Sequence, residues 1–233
     1  MSRPRRQSRH GLLSGIASDA LGRLVKRVGD RIAAALLLLL LSPLLAVIAL
    51  WILVDGGRPV LLAQERVGKN GRRFRMVKFR TMVQNALELA RGLTDDPYGV
   101  VENDPRITRP GRFLRRTSLD ELPQLWNVLL GQMSLVGPRP DLAEQAANYT
   151  DRDRGRLAVE PGITGWSQVN GREEIGWPER IEQDLWYIEH WSLGLDLRIL
   201  LRTFTQLGRG DEQPVEDTMN IERARSREKA EQR

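Results

Sequence analysis

The strongest feature of the hydropathy pattern is a single apolar run from Ile32 to Val54, interrupted only by Ser42 and Pro43 within "LLLLLLSPLLAVIAL". A straight helix over these residues would run roughly 34 Å, about one hydrocarbon thickness. Beyond it the pattern shortens. "PVLLAQERVG" and "RRFRMVKFRTM" predict two short strands about a "GKNG" turn. "NALELARGL" predicts a helix, and residues 95–111, with Pro97, Pro105 and Pro110, predict a loop. "RFLRR" and "DELPQLWNVLLG" predict helices, the second closing at Gly131. "VGPRPD" reads as a turn and "PGITGWSQVNGR" as loop or short strand, while "WPERIEQDLWYIEHWS" and "LDLRILLRTFTQL" read as helices. The spacing of Leu122, Leu125, Trp126 and Leu129 suits core packing, and the five tryptophans Trp126, Trp166, Trp177, Trp186 and Trp191 read as core or membrane-interface anchors. Residues 211–233 are almost wholly charged or polar and predict a tail. The expected fold class is mixed α/β, helix-rich, with few short strands.

Charge changes the reading of the apolar run. Arg3, Arg5, Arg6, Arg9, Arg23, Lys26, Arg27 and Arg31 precede it, and Arg58, Arg66, Lys69, Arg72, Arg73, Arg75, Lys78 and Arg80 follow it. A spanning helix concentrates such residues on its cytoplasmic side, whereas here both flanks look cytoplasmic. Pro43 has no N–H for the carbonyl of Leu39, and Ser42 can offer a hydroxyl to a freed carbonyl. The pattern favours a re-entrant segment, helix–break–helix at Ser42–Pro43, over a kinked spanning helix, which stays open. A signal peptide is a poor match, because the charged region is too long and no small-x-small site follows at "DGGRP".

The net charge of +6 calls for a polyanionic surface, whether anionic lipid, nucleotide phosphate or nucleic acid. There is no cysteine, and His10 and His190 stand alone, so disulfides, zinc ribbons, thiol nucleophiles and histidine triads are disfavoured. The candidate nucleophile or base is a carboxylate or a hydroxyl.

The densest chemistry lies in "RRTSLDELPQLWNVLLGQMSLVGPRP". Ser118 and Glu121 match a capping box, and Asp120 lies between them. Arg112, Arg115 and Arg116 fall on one face of a short helix leading to the acids, and Arg139 is held between Pro138 and Pro140. Carboxylates facing arginines suit an attack on phosphorus, where the phosphate oxygens must first be neutralised. An Asp/Glu pair with phosphates also suits Mg²⁺. Plain capping and lipid-headgroup binding are the competing readings of these residues. A second motif, Asp151-x-Asp153, matches the metal-binding pattern of nucleotide-sugar glycosyltransferases but has no apolar strand before it.

"KRVGD", the Ser42–Pro43 break, "QERVGKNG", "KFRTM", "SLDELPQLWNVLLGQMSLVGPRP" and "PGITGWSQVNGR" occur in that order. Together they resemble the bacterial sugar transferases, the polyprenyl-phosphate hexose-1-phosphate transferases of the monotopic phosphoglycosyl transferase superfamily. The likeness covers roughly residues 25–208 and is closest to the short catalytic form. It implies transfer of a sugar 1-phosphate from a UDP-sugar to polyprenyl phosphate with release of UMP, through a covalent phosphosugar–enzyme intermediate and with Mg²⁺. It implies Asp120 as nucleophile and Glu121 as metal or acid–base partner, both near the metal, with Arg115 and Arg139 at the phosphates and Lys78 and Arg80 as weaker candidates there. The expected organisation is a basic segment over 1–24, a re-entrant membrane helix over 25–57, a catalytic domain over 58–210 with interface helices, and a tail over 211–233. The expected place is the cytoplasmic face of the bacterial inner membrane, as the first membrane step of glycan assembly (exopolysaccharide, O-antigen or glycoprotein). Anionic lipids are expected partners, nucleic acid is not, and a homodimer is left open. Ser167 stands where alanine is usual in "GWSQV". The alternatives are a metal-dependent glycosyltransferase using Asp151 and Asp153, which would release UDP, and a membrane-tethered polyanion binder without turnover.

Overall fold

A computed structural model describes residues 9–90, 104–171 and 175–206. The predicted tail, most of the 95–111 loop and Arg172 lie outside these residues. The described residues begin with one helix, α1 (Arg9–Gly56), followed by the hairpin β1 (Leu61–Val67) and β2 (Arg73–Phe79). Then come α2 (Ala86–Ala90), α3 (Arg109–Thr117), α4 (Gln124–Leu129), β3 (Ser134–Val136), α5 (Ala143–Ala147), β4 (Gly162–Thr164), α6 (Trp166–Asn170), α7 (Trp177–Glu189) and α8 (Leu193–Gln206). The strands make two small sheets, β1–β2 antiparallel and β3–β4 parallel. The helix-rich α/β expectation holds.

The expected break at Ser42–Pro43 is corrected: helix continues through both residues. The reason is local. Pro43 leaves the Leu39 carbonyl without its backbone donor, and the Ser42 hydroxyl takes the vacant place, Oγ to Leu39 O at 2.8 Å. The ladder is patched, not opened. Over its most apolar stretch α1 has a mean hydropathy of 2.9 with 11 % of residues buried, which separates it from the core helix of a soluble domain.

One stripe of α1 packs along the domain. Ala34 joins Phe74, Met76, Leu125, Val128 and Met133, with Leu37, Leu38 and Leu41 against them. Further on, Ile48 and Ile52 pack with Phe79 and Leu114. Polar contacts secure the N-terminal half: Lys26 Nζ pairs with Asp196 at 2.7 Å, and Ser134 Oγ donates to Asp30 at 2.5 Å. The opposite stripe, Leu36, Leu39, Leu40, Val47, Leu50 and Val54, is exposed.

Two further contacts place the site. Asn127 on α4 is fully buried, receives the N–H of Val77 at 3.0 Å and donates to the carbonyl of Arg75 at 2.8 Å. It thereby satisfies the β2 edge away from β1 and fixes α4, with the turn that leads into it, against that strand. At the other end of β2, Gly111 lets α3 approach Thr81, because a Cβ there would fall 2.0 Å from the Thr81 carbonyl oxygen. Thr108 caps α3 with its hydroxyl and donates its own N–H to Thr81. The core assignment needs one correction: Trp126 is 52 % exposed, and α4 buries Gln124, Leu125, Asn127 and Val128 instead. A polar but fully bonded Asn127 occupies the face that a hydrophobic count cannot assign.

Candidate active site

Asp120 and Glu121 share one 3₁₀ turn, Leu119–Glu121, between α3 and α4. The capping box expected of Ser118 and Glu121 does not form. Ser118 adopts φ 55°, ψ 18° and ends α3, giving its N–H to the carbonyls of Leu114 and Arg115. A residue in that left-handed conformation closes one helix and cannot cap the next. Both carboxylates are thus released from capping and turn toward the basic residues around them.

Their environments differ. Asp120 is 9 % exposed, and burial together with the adjacent Glu121 pushes its carboxyl up to about 6, against the pull of Lys78, Arg115 and Arg139. Burial alone would raise Glu121 as well, but Arg139 and Lys78 reverse this and hold it below the usual carboxylate range. Arg139 Nη2 donates to Glu121 Oε1 at 3.0 Å. Two adjacent acids are thereby driven apart in acidity.

Lys78 reaches this pair from the face of β2 that also carries Phe74 and Met76, at two-residue spacing. Burial lowers its ammonium to about 8, opposed by Glu121. Arg115 comes from the last turn of α3, its Nε donating to Thr81 Oγ1 at 3.0 Å. Its side chain, like those of Arg112 and Arg116, is exposed, but Arg115 is tied to Thr81 and its charge acts on Asp120. The structure therefore brings Lys78, Arg115 and Arg139 around Asp120 and Glu121.

Arg80 does not join them. Its Nη2 donates to the carbonyls of Gly56 and Gly57 at 2.7 and 2.8 Å, closing the C-terminal end of α1. Strand alternation explains the difference, since residues 78 and 80 share a face only while β2 lasts, and β2 ends at Phe79. Arg66 was missed by sequence reasoning: it acts on both Lys78 and Glu121 and donates to the Pro140 carbonyl at 3.3 Å. Its signal was its position opposite Phe74 in the hairpin, legible only once the register is known. Asp151 is fully exposed beside Arg154, and Asp153 accepts the Thr150 N–H, so this motif builds a surface turn. A cavity lined by Arg23, Lys26, Met133, Val136 and Trp191 contains none of the Asp120 cluster.

Among the described residues there is no group of three or more acidic or histidine side chains fit to cage a metal. Mg²⁺ needs less than that, because one or two carboxylates and substrate phosphates complete its shell. Adjacent Asp120 and Glu121, the latter held ionised, fit that requirement.

The chain matches the family model described as bacterial sugar transferase over residues 21–210. It is 44 % identical over 190 residues to a UDP-galactose-lipid carrier transferase of Erwinia amylovora, covering 78 % of this chain and 40 % of that one. It is 44 % identical over 199 residues to the UDP-glucose:undecaprenyl-phosphate glucose-1-phosphate transferase of Escherichia coli, covering 82 % of this chain and 40 % of that one. An uncharacterised sugar transferase, EpsL, of Bacillus subtilis is 41 % identical over 180 residues, covering 77 % of this chain and 85 % of that one. The chain thus spans about 40 % of the length of the first two relatives.

Proposed function

This chain belongs to the bacterial sugar transferase family, and from that premise we propose that it transfers a sugar 1-phosphate from a UDP-sugar to polyprenyl phosphate, releasing UMP. One observation carries the reading: adjacent carboxylates of opposed acidity ringed by Lys78, Arg115 and Arg139. Ionised Asp120 attacks the sugar-bearing phosphorus of the UDP-sugar. A carboxylate–phosphorus bond forms as the bond to the UMP oxygen breaks, and UMP departs. A phosphate oxygen of the polyprenyl phosphate then attacks the same phosphorus and the Asp120 carboxylate leaves, yielding polyprenyl-diphospho-sugar. Splitting the transfer keeps one phosphorus at one site for two chemically different acceptors. Arg139 and Lys78 lower the charge barrier to an anion approaching a phosphate. Mg²⁺ held by Asp120 and Glu121 would polarise the phosphoryl oxygens. The reaction is the first membrane step of bacterial glycan assembly.

A panel of UDP-sugars with polyprenyl phosphate, scored for the nucleotide released, tests this reading. UMP supports it, whereas UDP would indicate an ordinary glycosyltransferase. The rate should follow a bell in pH. Asp120 must be ionised, so activity rises through about pH 6, and Lys78 must be charged, so it falls above about pH 8. A profile flat from pH 5 to 9 would rule out these two groups as the titrating pair.

We infer further that α1 lies at the cytoplasmic face of the inner membrane, seated in one leaflet with both of its ends on the side of the domain. A straight helix from Asp30 to Gly56 would be roughly 39 Å long, more than the hydrocarbon core. Both of its ends nevertheless bond to one domain, Asp30 to Ser134 and Gly56 to Arg80. Exposed Leu193, Leu197, Leu201 and Phe204 on α8 and Trp51 beside Phe113 extend the apolar surface and suit a lipid interface. The basic flanks would then lie among anionic headgroups. The chain has no cysteine, so Arg5→Cys is a unique label site. An impermeant maleimide added from the periplasmic side should leave it unmodified, and labelling there would mean that α1 spans.

A further inference from the structure

We propose that Arg156 is a positioning residue for Arg139, locking the turn that presents the Arg139 guanidinium to Glu121. This rests on the catalytic reading given above for the Asp120 cluster.

The turn after β3 contains Pro138 and Pro140, which have no N–H to donate, so it can be held only through its carbonyls and its few remaining amides. Four consecutive carbonyls are each bonded from a different part of the chain. The Pro138 carbonyl accepts from Gly162 N at 2.9 Å, and that of Arg139 from Arg156 Nη2 at 3.3 Å. The Pro140 carbonyl accepts from Arg66 Nη1 at 3.3 Å, and that of Asp141 from Val67 N at 2.9 Å. Three of these donors belong to β1 or to the β4 segment. Only the bond to Arg139 itself comes from a buried charged side chain.

Arg156 is 3 % exposed, and each of its five N–H groups has an acceptor. Nε and one Nη2 proton go to Asp184 Oδ2 at 3.0 and 2.6 Å. The other Nη2 proton goes to the Arg139 carbonyl, and the Nη1 protons go to Asp141 Oδ2 and to Tyr149 Oη, the latter at 2.7 Å. The Tyr149 hydroxyl in turn donates a hydrogen bond to Asp141. Ser167 Oγ donates to Asp184 Oδ1 at 2.7 Å and adds a bond to this hub. The guanidinium lies 5.2 Å from the Trp177 ring centre and 5.8 Å from that of Tyr149.

Planar geometry and five donors are needed together, so lysine cannot replace this arginine. Two carboxylates, Asp141 and Asp184, fix Arg156, and Arg156 fixes the backbone of the residue that clamps Glu121. Such supporting shells commonly matter 10–100-fold to the groups they hold. Arg139 acts on both Asp120 and Glu121 and takes its backbone bond from Arg156, so it is the direct link from the hub to the carboxylates.

The experiment compares Arg156→Lys, Tyr149→Phe, Arg139→Ala and the two double variants with Arg139→Ala, using the full chain in detergent. UMP release, melting temperature and amide exchange over residues 137–142 are measured for each. Arg156→Lys should lower kcat about 10–100-fold, with a smaller change in KM, and should speed exchange in the turn. Tyr149→Phe keeps the charge and should act in the same direction more weakly, which serves if Arg156→Lys does not fold. In the Arg139→Ala background either substitution should lower kcat less than about twofold, although the melting temperature still falls. Independent, multiplying losses in kcat, or unchanged exchange over the turn, would overturn the proposal. Should the wild type release no UMP from any UDP-sugar, the catalytic reading fails, while the exchange measurement still decides whether Arg156 locks the turn.

Discussion

Asp120→Asn is expected to abolish UMP release, by at least ~10³-fold, and at the same time to make the protein more stable. The loss follows from removing the group that bonds to phosphorus, since a neutral amide cannot take over that role. The gain follows from the acidity of Asp120. Its carboxyl stands at about 6 in the folded chain against an ordinary 3.8, so the native state holds the proton more tightly than the unfolded chain does. The stability linked to this group is therefore full below pH 4 and is lost as pH rises through about 6. At pH 7 and above the wild type carries a penalty, on the order of a few kcal/mol, that asparagine does not. Thermal melts of both proteins at pH 5 and pH 8, without nucleotide or divalent ion, check the sign: the advantage of the Asp120→Asn variant over the wild type should be larger at pH 8. A variant whose advantage is no larger at pH 8 than at pH 5 would show that the carboxyl is not strained by its burial.

Arg139→Ala should cost turnover about 10²–10³-fold, as loss of a preorganised donor to a charged transition state generally does. It should also move the acid limb of the pH–rate profile. Arg139 lowers the pKa of both Glu121 and Asp120, so its removal lets both rise, and activity at pH 6 should suffer more than activity at pH 8. Arg139→Lys should recover part of the rate, because a point charge replaces the charge but not the planar fork. Rate profiles of the three proteins from pH 5.5 to 9 decide the matter. An unmoved acid limb would place Arg139 on the phosphate alone, without a hold on the carboxylates.

Much of this was legible along the chain. The hairpin β1–β2, the helices α3, α7 and α8 and the break at Gly131 follow from alternation, turn residues and caps, all of which are local. Asp120, Glu121, Arg115 and Arg139 were found because carboxylates and arginines stand together within a short stretch of sequence. The failures have a common origin in through-space partners. Ser118 looked like a cap until its backbone proved left-handed. Arg80 looked like a phosphate ligand until its guanidinium was found on the carbonyls of Gly56 and Gly57. Asp141, Arg156 and Asp184 carried no signal, because nothing in their spacing reveals that they meet.

Ser42–Pro43 shows where the division lies. The residues alone determined that Leu39 would lose its backbone donor at Pro43 and that Ser42 could replace it, since both effects act within one helical turn. They also determined that a long apolar segment lies between two basic flanks. Only the tertiary structure decided that both ends of that segment bond to one domain, through Asp30–Ser134 and Gly56–Arg80. Likewise it alone decided which of two neighbouring acids is held ionised. Short-range order is written in spacing and propensity, whereas acidity and topology depend on charges and surfaces that meet only after the chain has folded.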